Sequence, residues 1–132
     1  MSRRSNLFAS VLLSLTASDL ALSQAQFAAL PHSLALGRMA CAEKHIVTIA
    51  PSQTQPAHYD ILIGKAHYVA AQIPTESGAL KLEDKHHGIV WLQMSNKSML
   101  FNEKIGKRLA TDCQNDAQKA VQAAMDAPSA TP

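Results

Sequence analysis

Short hydrophobic runs separated by polar turns fill the chain from Met39 to Asp112. The run Leu80–Glu83 alternates apolar and polar residues cleanly, which is typical of a strand with one buried face. Seven runs are recognisable, covering residues 45–49, 59–63, 67–73, 80–83, 89–94, 98–101 and 107–112. Because strands that recur roughly every 8–12 residues suggest a barrel or sandwich, the pattern predicts a small all-β, antiparallel fold.

The pattern changes at both ends of this strand-rich region. Residues 26–38 contain a proline and show no clean periodicity, so we expect an N-terminal arm ahead of a barrel that covers residues 39–113. The segment 115–125 is rich in alanine and glutamine, which favours a short helix with Asn115 as its N-cap. The alternative for residues 114–132 is a flexible tail.

Residues 1–25 have the order of a secretory signal peptide. Arg3 and Arg4 precede an apolar stretch over residues 7–15, and small residues follow up to Ala25. The apolar stretch is shorter than the about 20 residues that a membrane-spanning helix needs. No cysteine directly follows it, which argues against a lipid anchor. We therefore expect a periplasmic or secreted protein.

The expected export affects whether the two cysteines of the chain, Cys41 and Cys113, form a disulfide. Cysteines in an oxidising compartment are normally paired, and these two bracket the strand-rich region. A bond between them would stabilise the fold by roughly 4 kcal/mol in the chain-entropy model. The alternative is a pair of free buried thiols.

Composition narrows the classes of function. The chain of 132 residues is 47% hydrophobic, with 12 basic and 10 acidic residues. This balance argues against a disordered chain and against a nucleic-acid partner. We expect no metal site and no cofactor, because His86 and His87 would point to opposite faces of a strand end and zinc-ligand spacing is lacking. We also expect no enzyme, since Ser77 lacks a nucleophile-elbow motif, and we expect Trp91 to lie in the core.

Several short motifs follow one another in a fixed order between the two cysteines. They are Ile63-Gly64-Lys65 ahead of a strand with Tyr68, the loop Ser77-Gly78-Ala79, and His87-Gly88-Ile89-Val90-Trp91 ahead of a turn and an apolar strand. In this order, with a cysteine opening the first strand and another closing the last, they resemble the c-type lysozyme inhibitors of Gram-negative bacteria, both membrane-bound and periplasmic. The resemblance implies an eight-stranded antiparallel barrel closed by one disulfide, and inhibition of lysozyme in place of catalysis.

The resemblance also implies a first binding loop. In the family, a loop with the pattern Ser-Gly-x-x-Tyr enters the lysozyme cleft, where its serine hydrogen-bonds the catalytic carboxylates. Ser77 and Gly78 keep the start of this pattern, whereas Lys81 or Leu82 stands where tyrosine is usual. A hydroxyl suits such a target because it both donates and accepts hydrogen bonds, and a glycine keeps the loop tip narrow. The alternative for Ser77-Gly78 is an ordinary polar turn.

A second binding loop follows the strand that contains Trp91. The family's Lys-Gly pair aligns with Met94-Ser95, so the basic residue is missing there, and Lys97 in the same turn is its candidate replacement. An ammonium at this place would make charge-assisted contacts with acidic groups of a partner. The implied lysozyme-binding residues are Ser77, Gly78, Ala79, Lys81, Ser95 and Lys97.

Three functions follow from these observations. The first is an exported protein inhibitor of c-type lysozyme, with lysozyme as its protein partner. The second is a surface adhesin or interaction protein on the same scaffold. The third, a small-ligand barrel, has little support because so small a barrel fills its interior with side chains. The sequence leaves open whether the chain forms a homodimer and whether it associates with the cell surface.

Overall fold

The alternation of apolar and polar residues becomes an alternation of inward and outward side chains in the structure. The computed structural model describes residues 33–128. Its elements are β1 (Gly37–Ala40), a short 3-10 helix (Ala42–Lys44), β2 (Ile46–Pro51), β3 (His58–Ile63), β4 (Ala66–Ile73), β5 (Leu80–Asp84), β6 (Ile89–Gln93), β7 (Ser98–Asn102), β8 (Lys107–Cys113) and helix α1 (Asp116–Asp126). The signal peptide assigned to residues 1–25 lies outside the described residues, as does most of the predicted arm. Among the helices of residues 33–128, none has the length and apolar character to cross a membrane.

Each strand pairs antiparallel with the next, in the order β1 to β8. The register between β7 and β8 shifts twice, once on either side of Leu100, and Asp112 has a positive φ of 53°. Such irregularities bend a strand. The bent end of β8 reaches β1, where the Gln114 amide donates to the Ala40 carbonyl oxygen at 3.2 Å. The predicted eight-stranded, nearly closed barrel is thereby confirmed.

The predicted disulfide closes the same seam. Cys41 and Cys113 are bonded across a sequence separation of 72 residues, which confirms the pairing over free thiols. Cys41 directly follows β1 and does not open it, because the strand starts at Gly37, inside the range expected for the arm. Hydrophobic pattern missed this strand because Met39 is the single buried side chain among its four residues.

The barrel interior is filled by apolar side chains from all eight strands. Trp91 lies fully buried among them, as predicted. The other members are Ala35, Met39, Val47, Ile49, Ile61, Ala70, Leu82, Ile89, Leu100, Ala110 and Cys113. Burying one large apolar side chain stabilises a fold by about 1.5–3 kcal/mol, so this core is the main source of the barrel's stability.

The chain segments on either side of the barrel are held by side-chain hydrogen bonds to the backbone. Before β1, the Ala35 amide donates to Gln93 Oε1 at 2.7 Å, and Gln93 Nε2 donates to the Ser33 carbonyl oxygen at 3.0 Å. After β8, Asn115 Oδ1 accepts from the Gln118 amide and Gln118 Oε1 accepts from the Asn115 amide. This reciprocal pair is a capping box, so the predicted helix with Asn115 as its N-cap is confirmed.

Candidate functional site

Two chain connections come together beside the barrel. The β4–β5 loop (residues 74–79) and the β6–β7 turn (residues 94–97) both follow strands of the same direction, so they emerge at the same end of the sheet. Between them lies a groove of about 310 Å³. Its walls are Ser77, Gly78 and Ala79 on one side and Leu92, Met94 and Ser95 on the other. Four of the six residues singled out by the resemblance therefore share one surface.

The β4–β5 loop is held by contacts within itself. Thr75 Oγ1 donates to the Ala79 carbonyl oxygen across the base of the loop. Gly78 has a φ of +83°, a conformation that glycine adopts without the penalty a side chain brings. The exposed Ser77 Oγ accepts from the Ala79 amide at 3.4 Å, which leaves its own proton free to be donated to a partner. The loop thus presents a hydroxyl on a backbone that is already shaped.

The two arms of the β4–β5 loop also border a depression of their own. A second groove, of about 520 Å³, lies against the end of β4 and the start of β5. It is lined by Gln72, Ile73, Pro74, Thr75, Gly78, Ala79 and Leu80. Because Gly78 and Ala79 line both grooves, this arm of the loop, which starts at Ser77, forms a ridge between the two depressions. A ridge is the shape that enters a cleft on another protein.

The β6–β7 turn presents Ser95 to the groove and holds Lys97 at its side. The Met94 amide donates to the Lys97 carbonyl oxygen at 2.9 Å, which closes the turn. Lys97 Nζ lies 3.7 Å from Asp112 Oδ1, and both side chains are well exposed. Such a pair contributes about 0–1 kcal/mol. The Lys97 ammonium does not line the groove, and little free energy holds it to Asp112.

Lys81 lies apart from the groove. It is on β5, where its Nζ is 3.0 Å from Glu83 Oε2 on the same outer face. Leu82, between them, is fully buried in the core. The chain re-enters the sheet at Leu80, so neither Lys81 nor Leu82 stands in the loop where the family places its tyrosine.

Sequence reasoning missed three residues of this surface. Thr75 ties the base of the β4–β5 loop, and Met94 forms part of the apolar wall opposite Ser77. Glu76 is exposed directly beside Ser77 and brings a negative charge to the ridge. Its charge was visible in the sequence, whereas the roles of Thr75 and Met94 depend on contacts that only the fold creates.

The other chemistries weighed from the sequence find no matching geometry in residues 33–128. The Ser77 hydroxyl is hydrogen-bonded there to the Ala79 amide, with no histidine or carboxylate as a base. His86 and His87 do not point to opposite faces, because residues 85–88 form a turn and not a strand end. Their rings pack edge to face, with the ring centroids 4.7 Å apart. Over the same residues, no three His, Cys, Asp or Glu side chains gather as metal ligands.

Comparisons with known proteins add no relative. No protein-family model matches the chain, and no curated protein or solved structure matches it. The features that bear on function are therefore the geometry of the β4–β5 loop and the β6–β7 turn and the order of the motifs between the cysteines.

Proposed function

We propose that this protein is an exported inhibitor of c-type lysozyme that inserts the Ser77-Gly78 ridge into the active-site cleft. The observation that carries the proposal is the shared groove: two connections distant in sequence, both expected from the resemblance to bind lysozyme, form one surface. An inhibitor needs such a continuous surface, because it must fill the cleft and contact its rim at once.

The chemistry of the ridge fits the target. A glycosidase of this kind works with two carboxyl groups, one protonated and one ionised, on either side of the scissile bond. The Ser77 hydroxyl can donate to the ionised group and accept from the protonated one. Because the Thr75 contact and the Gly78 conformation already shape the loop, little conformational entropy is lost on docking.

The opposite wall of the groove supplies contacts of a different kind. Leu92 and Met94 offer apolar surface, and Ser95 adds a second hydroxyl at the rim. Glu76 works against the proposal, because its carboxylate stands beside Ser77 and would face acidic groups in the cleft. The affinity for lysozyme therefore depends on the favourable apolar and hydroxyl contacts and on the unfavourable Glu76 charge. Substitution of Glu76 measures its contribution separately.

The deciding experiment is steady-state inhibition of a c-type lysozyme by purified protein comprising residues 26–132, with a soluble glycan as substrate. Insertion into the cleft excludes the glycan, so inhibition should be competitive and should weaken as the glycan concentration rises. Inhibition that is independent of glycan concentration would place the contact outside the cleft. No inhibition of any c-type lysozyme, combined with binding to intact cells, would favour the adhesin function.

A further inference from the structure

Helix α1 packs against the barrel with the face that a surface helix normally exposes. Its buried residue is Gln118, which is 3% exposed, and Gln122 is half-buried on the same face. Val121 and Met125, by contrast, are 38% and 63% exposed. Amphipathic helices usually bury their apolar stripe. Hydrogen bonds, and not apolar packing, must therefore account for how this helix is attached.

Gln118 makes the central attachment, and it does so on the β6–β7 turn. Its Nε2 donates to the Met94 carbonyl oxygen at 3.0 Å and to Ser98 Oγ at 2.8 Å. Met94 is the first residue of the turn and Ser98 directly follows its last. Gln118 Oε1 is occupied separately, as the acceptor for the Asn115 amide in the capping box. One buried amide thus couples the start of the helix to both ends of the turn.

Two further glutamines, each four residues from Gln118, reach the tip of the same turn. Gln114 Nε2 donates to the Asn96 carbonyl oxygen at 2.8 Å, and Gln122 Oε1 accepts from Asn96 Nδ2 at 2.7 Å. We call Gln114, Gln118 and Gln122 the amide ladder. It satisfies the turn's backbone and side-chain polar groups at its tip and at both flanks.

We propose that the amide ladder is a clamp that sets the shape of the β6–β7 turn, so that Gln118 and Gln122 are positioning residues for the candidate site. Met94 and Ser95 line the groove, and the clamp holds residues on both sides of Ser95. A preorganised turn loses less entropy when a partner binds. The effect on inhibition rests on the proposed function, whereas the clamp itself can be tested without lysozyme.

Two nearly isosteric substitutions separate the clamp from the helix. Gln118→Glu keeps the acceptor for the Asn115 amide, so the helix cap remains, but it removes both donors to the turn and buries a charge. Gln122 Nε2 also donates to Asp126 Oδ1 at 2.9 Å, so Gln122→Glu is made together with Asp126→Asn, which avoids placing two carboxylates side by side. This double variant keeps the acceptor for Asn96 Nδ2, so the contact at the tip survives. The probe is trypsin, which should cut after Lys97 only when the turn opens, because Ser98 on the other side of that bond is fully buried. Cleavage after Lys65, in the β3–β4 turn, serves as the internal control.

We expect Gln118→Glu to raise the rate of cleavage after Lys97 about tenfold, equivalent to about 1.4 kcal/mol, with the rate after Lys65 unchanged. Gln122→Glu combined with Asp126→Asn should behave as wild type, and Gln122→Ala should give a smaller increase than Gln118→Glu. Inhibition of lysozyme should weaken in the same order. If Gln118→Glu fails to fold, the clamp is tested by comparing the rate of cleavage after Lys97 in Gln122→Ala with that in Gln122→Glu combined with Asp126→Asn.

Specific outcomes would overturn the clamp. An unchanged Lys97 rate in folded Gln118→Glu would do so, as would an equal increase after Lys65, since that reports general destabilisation. A loosened turn with unaltered inhibition would overturn the positioning role. A wild-type protein that does not inhibit lysozyme would defeat the proposed function alone, because the cleavage pattern would still test the clamp.

Discussion

The two sides of the groove obtain their shapes in different ways. The β4–β5 loop is held by contacts among its own residues, namely Thr75 to Ala79, Ser77 to Ala79 and the left-handed Gly78. The β6–β7 turn is held largely from outside, by glutamines about 20 residues further along the chain. A local segment therefore encodes the shape of the β4–β5 loop, whereas the shape of the β6–β7 turn depends on residues that follow the last strand of the barrel. Substitutions should affect the two loops accordingly.

Reduction of the Cys41–Cys113 disulfide should have the largest effect. Losing the roughly 4 kcal/mol attributed to such a bond should lower the melting temperature by about 15–30 °C for a domain of this size. The β6–β7 turn should loosen first, since Cys113 directly precedes the first glutamine of the amide ladder. Calorimetry with and without reductant measures the shift. Equal melting temperatures would show that packing alone holds the seam.

Ser77→Ala should have the next largest effect, and it should be confined to binding. A lost hydrogen bond to a charged group costs roughly 1.5–3 kcal/mol, so inhibition should weaken about tenfold to hundredfold. The melting temperature should hardly change, because Ser77 is exposed. Ser77→Thr keeps the hydroxyl and should retain more inhibition. Inhibition by Ser77→Ala equal to wild type would show that lysozyme is contacted elsewhere, and substitutions in the β5–β6 hairpin, from Lys81 to Lys85, would test that surface.

Lys97→Ala should cost less than Ser77→Ala, under about 1 kcal/mol in binding, because the ammonium is solvated and sits beside Asp112. Its effect should shrink as salt rises, while that of Ser77→Ala should persist. Inhibition constants at low and high ionic strength test this difference. Lys65→Ala, in the β3–β4 turn, is the matched control, and a loss as large as that of Lys97→Ala would indicate a general charge effect.

Glu76→Gln should have the smallest effect and the opposite sign. Removing a carboxylate beside Ser77 removes repulsion from the acidic groups expected in the cleft, so inhibition should strengthen by a few fold at low salt. The same titration of inhibition against salt measures it. Weaker inhibition by Glu76→Gln would mean that the ridge meets a cationic surface and not the catalytic carboxylates.

The strands of the barrel were largely predictable because their alternation is local. Seven of the eight follow directly from apolar spacing, and β1 was missed because its short run offers only Met39 as a buried side chain. The Asn115 cap was predictable for the same reason, since capping involves residues three positions apart. The opposed orientation expected for His86 and His87 was wrong, because it assumed a strand where the chain turns.

The sequence alone determined the all-β class, the cysteine pair and the presence of a Ser-Gly turn, since each depends on residue type and short-range spacing. Tertiary structure decided which turns meet. Only the wrapping of eight strands places Ser77 across a groove from Ser95, and only the bent end of β8 lays α1 over the β6–β7 turn. The polar face of α1 shows the difference most plainly. The spacing of its glutamines is visible in the sequence. Its polar face can be buried only because the fold places hydrogen-bond acceptors on Met94 and Ser98, which are distant along the chain, next to Gln118.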